Sequence, residues 1–278
     1  MTEEEKIALG YLPDRLREAA VVTMSRYACP ISEIRLRLDG AMSLTMCGTG
    51  AINAVTGALC SKEEIAAVVD RLCGGSMYAH AETIREGVIV TAQGLRAGIS
   101  GRAVVTGGKI ECVRDISSVN IRIPHRVPGA ADGLYDLVRK YGSTCVISPP
   151  GMGKTTMLRE LIPLLSKESR VAVIDTRYEL GAGMPNEGLA DFYPGWPRSE
   201  GILAAVRTMS PDWIICDEIS DDGDRSAILA AVSAGVGIVA SAHGRSIEEV
   251  RKNPRIGMLF DEGVFGCVCG ADGRILTA

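Results

Sequence analysis

The segment Ser148-Pro149-Pro150-Gly151-Met152-Gly153-Lys154-Thr155-Thr156 is the most informative part of the sequence. It follows an apolar run, 144–148, and it opens a segment of helical character, 154–166. A glycine-rich turn at such a junction points backbone N–H groups at a bound phosphate, and the N-terminus of the helix adds its dipole. The stretch therefore predicts a phosphate-binding loop between a strand and a helix of an α/β domain.

The polar residues of this loop have separate expected tasks. Lys154 is expected to reach the β- and γ-phosphates of ATP, and the Thr155 hydroxyl to hold Mg²⁺. The remaining nucleotide contacts are expected from Pro150, Gly151, Met152, Gly153 and Thr156. Ser148 stands where glycine is usual, and we expect it to tune the loop without abolishing it. The competing interpretation, a glycine-rich turn with a surface lysine, is disfavoured by the flanking strand and helix.

A pair of carboxylates ends a second apolar run, Trp213-Ile214-Ile215-Cys216-Asp217-Glu218, and Glu218 lies 64 residues after Lys154 (218 minus 154). Open α/β sheets bind ligands at the carboxyl ends of their strands. Asp217 is therefore expected to hold the Mg²⁺ shell, and Glu218 to orient and polarise the attacking water. An exposed acidic strand end is the alternative, and the preceding loop disfavours it.

Three segments resemble the type II and type IV secretion ATPases and pilus retraction motors. They are 207–221 around the acidic pair, Ser241-Ala242-His243-Gly244, and 171–179. The resemblance implies that His243 senses nucleotide state beside the γ-phosphate and that Glu179 is the last acidic residue of an aspartate box. Arg177 departs from the family pattern, because proline is usual at that position. A structural strand-end histidine is the alternative role for His243.

A narrower resemblance joins both halves of the chain, and it is to the family of stage III sporulation protein AA. The segments that carry it are 31–38, 94–104, 148–156 and 175–183, and the similarity extends from about residue 11 to the end. It implies a mother-cell ATPase that powers a channel between two compartments during endospore formation, together with membrane proteins of its own operon.

Two arginines are candidate nucleotide contacts from outside the loop domain. The segment Ser117–Pro124 resembles the one that joins the two domains of secretion ATPases, where arginines of the amino domain reach nucleotide, often between subunits of a ring. Arg114 and Arg122 are the matching residues here, and a guanidinium suits the task because it binds phosphate oxygens bidentately. A solvated arginine on a strand face is the alternative for both.

The length of 278 residues suits about two domains. Pro124 and Pro128-Gly129 break the chain, so we place a small α+β domain at 1–125 and a second domain at 126–278. The second domain alternates apolar strands (144–148, 171–175, 213–217 and 236–242) with helices (131–141, 154–166, 200–209 and 223–234). This alternation predicts a parallel sheet covered on both faces. The fold class is therefore α/β, with a RecA-like P-loop ATPase core and a smaller α+β amino-terminal domain.

The amino-terminal pattern is more mixed. Helical spacing covers 12–27, and a half-buried strand covers 32–38. Ser61-Lys62-Glu63-Glu64 predicts a capping box that opens a helix through Leu72. Short strands are expected at 88–92, 102–106, 109–113 and 119–123, with Gly107-Gly108 as a hairpin turn.

Composition bounds the remaining possibilities. The net charge of −4 argues against a dedicated nucleic-acid binder, which usually carries a basic footprint. The nine cysteines include no C-x-x-C pair, so zinc is unsupported and scattered thiols in a reducing compartment are expected. The apolar runs are too short to span a membrane, and the acidic start does not suit a signal peptide. We expect a cytoplasmic protein that meets the membrane through its partners.

Together these patterns predict an ATP-hydrolysing motor that needs ATP and Mg²⁺. It is expected to form a homo-oligomeric ring, taken as a hexamer, and to act on membrane proteins of a sporulation channel without stable nucleic-acid binding. Two alternatives stay open at this point. One is a nucleic-acid-translocating motor, since RecA-like rings also move DNA or RNA. The other is a nucleotide-binding assembly module without catalysis, which the Asp217-Glu218 pair disfavours.

Overall fold

A computed structural model describes residues 1–47, 52–91, 93–181 and 188–277. Contacts within the chain divide it into two compact units, Met1–His125 and Arg126–Ala278. Two sequence features extend beyond the described residues. The expected strand 88–92 ends at Ala92, and the segment 175–183, which carries part of the narrower family resemblance, includes Ala182 and Gly183.

The first unit combines helices with an antiparallel sheet. Its helices are α1 (Glu3–Gly10), α2 (Asp14–Met24), α3 (Lys62–Leu72) and α4 (Ala81–Arg85), with a 3-10 turn at Met77–His80. Its strands are β1 (Ile31–Arg37), β2 (Ala41–Met46), β3 (Ile52–Leu59), β4 (Val88–Val90), β5 (Arg96–Thr106) and β6 (Lys109–Arg122). Over the described residues they form a six-stranded sheet in the order β3-β2-β1-β6-β5-β4, in which neighbours run antiparallel.

Helix α3 begins at the predicted capping box. The Ser61 hydroxyl accepts a hydrogen bond from the Glu64 N–H at 3.2 Å, and the Glu64 carboxylate accepts one from the Ser61 N–H at 3.0 Å. These two bonds satisfy donors that the first turn of a helix leaves free. The buried face of α3 then joins the core of the unit through Ile65, Val68, Val69 and Leu72.

The predicted strands 109–113 and 119–123 are one strand, so that division was wrong. β6 runs unbroken for 14 residues and pairs with β5 from Thr106↔Lys109 to Arg96↔Arg122. A register shift lies between Ser100 and Arg102, and such a bulge absorbs an extra residue without ending the ladder. The predicted turn at Gly107-Gly108 is confirmed, with positive φ at both glycines, which a two-residue hairpin turn of this kind requires.

The second unit alternates strands and helices. Its helices are α5 (Asp132–Tyr141), α6 (Lys154–Leu165), α7 (Arg198–Thr208), α8 (Asp222–Ser233), α9 (Ile247–Arg251) and α10 (Pro254–Asp261). Its strands are β7 (Thr144–Ser148), β8 (Val171–Asp175), β9 (Ala190–Pro194), β10 (Trp213–Cys216), β11 (Gly237–His243), β12 (Cys267–Gly270) and β13 (Ile275–Thr277). The described strands form a seven-stranded sheet in the order β13-β12-β7-β11-β10-β8-β9, parallel except for the β12–β13 pair.

Both faces of this sheet are covered, as the apolar strands predicted. β7 and β8 are buried at every residue. Alternate residues of each strand enter two separate hydrophobic cores. Ile147 and Ile174 join the core that includes Ile202 of α7, while Val146 and Val173 join the core under α5 and α6. Since a strand presents successive side chains to opposite faces, this division follows from its period of two.

The topology brings four loops to one edge of the sheet. The phosphate loop follows β7, the acidic pair follows β10, His243 ends β11, and the aspartate-box loop follows β8. β7, β11, β10 and β8 are neighbours in the sheet and run parallel. Their carboxyl ends therefore meet, which is where sheets of this kind bind ligands.

Two further findings concern the surface and the thiols. Within the described ranges, no helix is long and apolar enough to cross a membrane.

All nine cysteines are free, and six of them are buried. Burial raises the pKa of Cys216 and of Cys269 to about 12 and keeps the Cys145 thiol well above its usual range. These sheet thiols are protonated and behave as small apolar side chains.

Candidate nucleotide-binding site

The loop after β7 has the backbone geometry of an anion cradle. Gly151 and Gly153 have φ values of +76° and +89°, a region that favours glycine. A Cβ added at either position would meet nothing within 4 Å, so the space in front of the loop is open. Helix α6 begins at Lys154, and Gly153 gives it no side-chain cap. The free N–H groups of its first turn are therefore available to a phosphate.

Lys154 is buried at the centre of this loop. Its ammonium donates to the carbonyl oxygens of Ser148 and Pro149 at 2.7 and 3.1 Å, and it lies 3.1 Å from Nδ1 of His243. Burial lowers the pKa of Lys154, while the charges of two nearby carboxylates oppose that shift. The lysine is held by neutral acceptors that an anionic ligand can replace.

Asp217 is held by a hydroxyl on each side. Thr155 Oγ1 donates to Oδ2 of Asp217 at 2.9 Å, and Ser241 Oγ donates to Oδ1 at 2.6 Å. Ser241 Oγ also accepts a hydrogen bond from the Glu218 N–H at 3.0 Å. Ser241 is fully buried and was not among the predicted site residues. Its position two residues before His243 on β11 was the available signal, because alternate residues of a strand share a face.

Glu218 has both carboxylate oxygens engaged. Oε1 lies 2.8 Å from Nε2 of His243, and Oε2 is ion-paired with the guanidinium of Arg177. Glu218 adopts φ +39°, which is uncommon outside glycine and costs free energy. The hydrogen bond from its N–H to Ser241 helps to hold this conformation. A strained residue at the carboxyl end of a strand is typical of a functional position.

The loop after β8 is folded around a buried carboxylate. Asp175 accepts hydrogen bonds from the N–H groups of Glu179, Leu180 and Gly181 at 2.7, 3.0 and 2.8 Å. This arrangement turns the loop back on itself and brings Arg177 and Glu179 to the lining of the same cleft as Lys154. Sequence reasoning treated Arg177 only as a departure from a pattern, whereas the structure places it beside the acidic pair.

These side chains surround one cleft of about 350 Å³. Its lining consists of Pro150, Gly151, Gly153, Lys154, Thr155, Thr156, Arg177, Glu179, Asp217, Glu218 and His243. Met152 is predicted for the same loop and is 63% exposed at its surface. The structure therefore brings together the residues predicted for phosphate binding, metal binding and water activation in the second unit.

Arg114 and Arg122 belong to the first unit, on β6. Arg122 is largely exposed, and its Nε lies 3.7 Å from Oε1 of Glu33 on β1. Arg114 lies opposite Arg102 in the β5–β6 ladder. Their contact with nucleotide stays a prediction.

The donor set fits Mg²⁺ that arrives with a phosphate ligand. Thr155 and Asp217 offer hard oxygen atoms, which Mg²⁺ prefers. Mg²⁺ commonly takes one or two protein oxygens and completes its shell with phosphate oxygens and waters. Over the part of the chain that the structure describes, no group of three or more His, Cys, Asp or Glu side chains is placed to hold a metal alone. The site therefore suits a metal shared with nucleotide.

The sheet order and the loop after β7 define a RecA-like P-loop fold. The solved structure of the pilus retraction motor PilT with bound ADP is similar over 92% of this chain and 76% of its own, with a TM-score of 0.62 and 14% identity. The Legionella pneumophila ATPase DotB is similar over 88% of this chain and 71% of its own, with a TM-score of 0.55 and 16% identity. At these identities the similarity establishes the fold.

The chain belongs to the family described as "Sporulation stage III, protein AA", whose model matches residues 3–272. It is 31% identical over 268 residues to stage III sporulation protein AA of Bacillus subtilis (strain 168). That alignment covers 91% of this chain and 86% of the Bacillus protein. The resemblance inferred from the sequence segments is thereby confirmed.

Proposed function

We propose that the protein hydrolyses ATP to ADP and phosphate. The observation that supports this most strongly is the convergence of Lys154, Thr155, Asp217, Glu218 and His243 on one cleft at the carboxyl edge of a parallel sheet. Lys154 would supply a cation for phosphate, Thr155 and Asp217 oxygens for Mg²⁺, and Glu218 a carboxylate for the water, which are the groups that phosphoryl transfer needs.

Binding would begin with an exchange of partners at Lys154. Its ammonium leaves the carbonyl oxygens of Ser148 and Pro149 for the β- and γ-phosphate oxygens, while the open glycine loop donates backbone N–H groups. Thr155 and Asp217 would hold Mg²⁺, which would supply positive charge to neutralise the phosphates.

Hydrolysis would then depend on Glu218. A water attacks the γ-phosphorus, the bond from that phosphorus to the ADP oxygen breaks, and Glu218 accepts a proton from the water. His243 lies within hydrogen-bond distance of Glu218 and close to Lys154, so it can respond to the position of both. This role for His243 matches the sensing function that the family resemblance implies.

Two substitutions separate binding from chemistry. Lys154→Ala is expected to remove nucleotide binding, because the lysine holds phosphate charge in the ground state. Glu218→Gln is expected to keep ATP binding and stop hydrolysis, because Glu218 acts mainly on the water in the transition state. The measurements are binding of a fluorescent ATP analogue and release of phosphate.

Matched controls are available near the end of α6. Lys167 and Glu168 are both exposed and lie outside the cleft lining. Lys167→Ala and Glu168→Gln should leave binding and turnover within about twofold of the parent, as is usual for surface positions. Turnover by Glu218→Gln within a few-fold of the parent would contradict the catalytic assignment.

We further propose that this ATPase is the motor of a secretion-like channel complex used in endospore formation. Family membership supports the sporulation role, and the fold shared with PilT and DotB supports a motor. The motor would work as a homo-oligomeric ring, taken as a hexamer, in which Arg114 or Arg122 reaches nucleotide. It would act from the cytoplasm and meet the membrane through membrane-protein partners.

A further inference from the structure

Arg177 is a cationic side chain of the cleft that has no role in the ATPase reaction proposed above. It lies two residues after Asp175, in the loop whose backbone is fixed by the Asp175 carboxylate. Its guanidinium lines the cleft and is ion-paired with Glu218 Oε2. Its side chain is 57% exposed, whereas the side chain of Glu218 is only 19% exposed.

The ion pair has a consequence for catalysis. A general base needs a carboxylate oxygen that faces the water. Here Arg177 holds one oxygen of Glu218 and His243 holds the other. In this arrangement each oxygen of Glu218 already accepts from a donor, so an attacking water must compete with Arg177 and His243 for the carboxylate, and the departure of one partner opens it to the water.

We propose that Arg177 binds the γ-phosphate of ATP, and that by moving to it from Glu218 it releases the catalytic carboxylate. This inference rests on the proposed ATPase function. A terminal phosphate offers more negative charge than a carboxylate and several oxygens, and a guanidinium fork binds such oxygens bidentately. The cleft thus contains a nearby and more strongly charged acceptor whenever ATP is bound.

Exposure and strain indicate which partner moves. Arg177 has a long and largely exposed side chain, so its rotation meets little resistance. Glu218 is mostly buried, has an uncommon backbone conformation, and is tied to Ser241 through its N–H. The carboxylate therefore stays in place while the arginine changes partner.

The exchange would make the site distinguish ATP from ADP. ADP lacks the third phosphate, so Arg177 stays on Glu218 when ADP is bound. ATP removes Arg177 and activates Glu218. Arg177 would thereby increase the affinity for ATP. In the absence of a γ-phosphate it would stay ion-paired with Glu218, the catalytic base.

The test compares affinities for a non-hydrolysable ATP analogue and for ADP in the full chain. Arg177→Ala should weaken binding of the ATP analogue by about tenfold or more, as expected for a lost hydrogen bond to a charged group. It should change the affinity for ADP by less than about twofold. Arg177→Lys should recover part of the loss, because it keeps the charge but not the fork.

Arg170 provides the matched control. It lies one residue before β8, whereas Arg177 lies two residues after that strand. Its side chain is 54% exposed and is ion-paired with Asp212 at 2.7 Å. Arg170→Ala removes a comparable exposed ion pair outside the cleft lining. Both nucleotide affinities should match the parent in this variant, and its thermal midpoint controls for a general loss of stability.

A double-mutant cycle tests the exchange itself. Glu218→Gln removes the partner that Arg177 must leave, so the analogue should bind about twofold to fivefold more tightly, the range for an exposed ion pair. In the Arg177→Ala background, Glu218→Gln should not tighten binding of the analogue, since there is no guanidinium to release.

The outcomes separate this inference from the proposed function. If the parent binds no nucleotide, both are wrong. If the parent binds and hydrolyses ATP while Arg177→Ala behaves like Arg170→Ala, only this inference fails. The inference is also wrong if Arg177→Ala weakens the binding of ADP and of the analogue equally. It is likewise wrong if Glu218→Gln tightens analogue binding by the same factor with and without Arg177.

Discussion

Ser241 is the residue that links the Asp217 carboxylate to the backbone of Glu218. Its hydroxyl donates to Asp217 and accepts from the backbone of Glu218. It is fully buried, so water cannot replace either bond. An alanine here would leave Asp217 Oδ1 without its donor and the Glu218 N–H without its acceptor. Ser241 is therefore a positioning residue, acting through Asp217 and Glu218.

Ser241→Ala should slow ATP hydrolysis about tenfold or more, because a polar group left without its buried partner costs ~1–3 kcal/mol. It should also raise the Mg²⁺ concentration needed for half-maximal activity, because Asp217 loses the hydroxyl that positions it. Nucleotide binding without Mg²⁺ should change little. The measurement is a Mg²⁺ titration of phosphate release. Ser241→Thr keeps the hydroxyl and should recover part of the rate.

The control is Ser226→Ala, because the Ser226 hydroxyl is exposed and donates to the Asp222 carbonyl within α8. An unchanged Mg²⁺ requirement in Ser241→Ala, with stability lost, would mean that the serine supports the fold alone.

Single residues also show where sequence reasoning reaches its limit. Lys154 and Thr155 lie in one local motif, and Asp217 and Glu218 in another, so their grouping could be predicted from strand and helix patterns. Arg177 contacts Glu218 across two strands of the sheet, 41 positions apart. A local sequence pattern cannot predict such a contact, because the contact depends on the order of the strands and on how the loop around Asp175 folds.

Elements of the second unit were predictable where apolar runs were continuous. The strands expected at 144–148 and 171–175 match β7 and β8 at both ends. The strand expected at 213–217 ends one residue earlier, at Cys216, because Asp217 leaves the ladder to meet Thr155 and Ser241. β12 and β13 were not predicted, since strands this short depend on pairing at the sheet edge.

Helices α9 and α10 were also missed, and their packing explains why. Each is short, and they lie against one another with very little space between their backbones. A Cβ added at Gly257 of α10 would lie 2.4 Å from the carbonyl oxygen of Arg251, the last residue of α9. Such helices are stabilised by tertiary contact more than by intrinsic propensity.

Gly257→Ala should therefore destabilise the protein by about 1–3 kcal/mol, the usual range for overpacking, even though alanine is the better helix former. Gly133 in α5 is the matched control, because an added Cβ there meets nothing within 4 Å. Gly133→Ala should be neutral or stabilise by up to about 1 kcal/mol. Denaturant midpoints measure both, and equal effects would contradict the close approach of α9 and α10.

The proposed nucleotide cleft lies within the second unit of the molecule, whereas Arg122 belongs to the first unit. In the proposed ring, a site could take Glu218 from one chain and Arg122 from its neighbour. Arg122 is suited to this because its side chain is 67% exposed and its only described ion pair, with Glu33, is long at 3.7 Å. Exposed pairs of this kind contribute little and are readily given up.

If Arg122 acts between chains, Arg122→Ala should slow hydrolysis by about 10³, the low end for arginine fingers. Mixing it with Glu218→Gln should then restore activity. In each pure ring every site lacks one of the two groups, whereas a mixed ring contains interfaces where an intact Glu218 meets an intact Arg122. The measurement is phosphate release by the mixture, with subunit exchange followed by fluorescence transfer between labelled chains. Exchange without recovery would exclude action between chains, because an arginine that serves its own chain's site cannot complement a neighbour that lacks it.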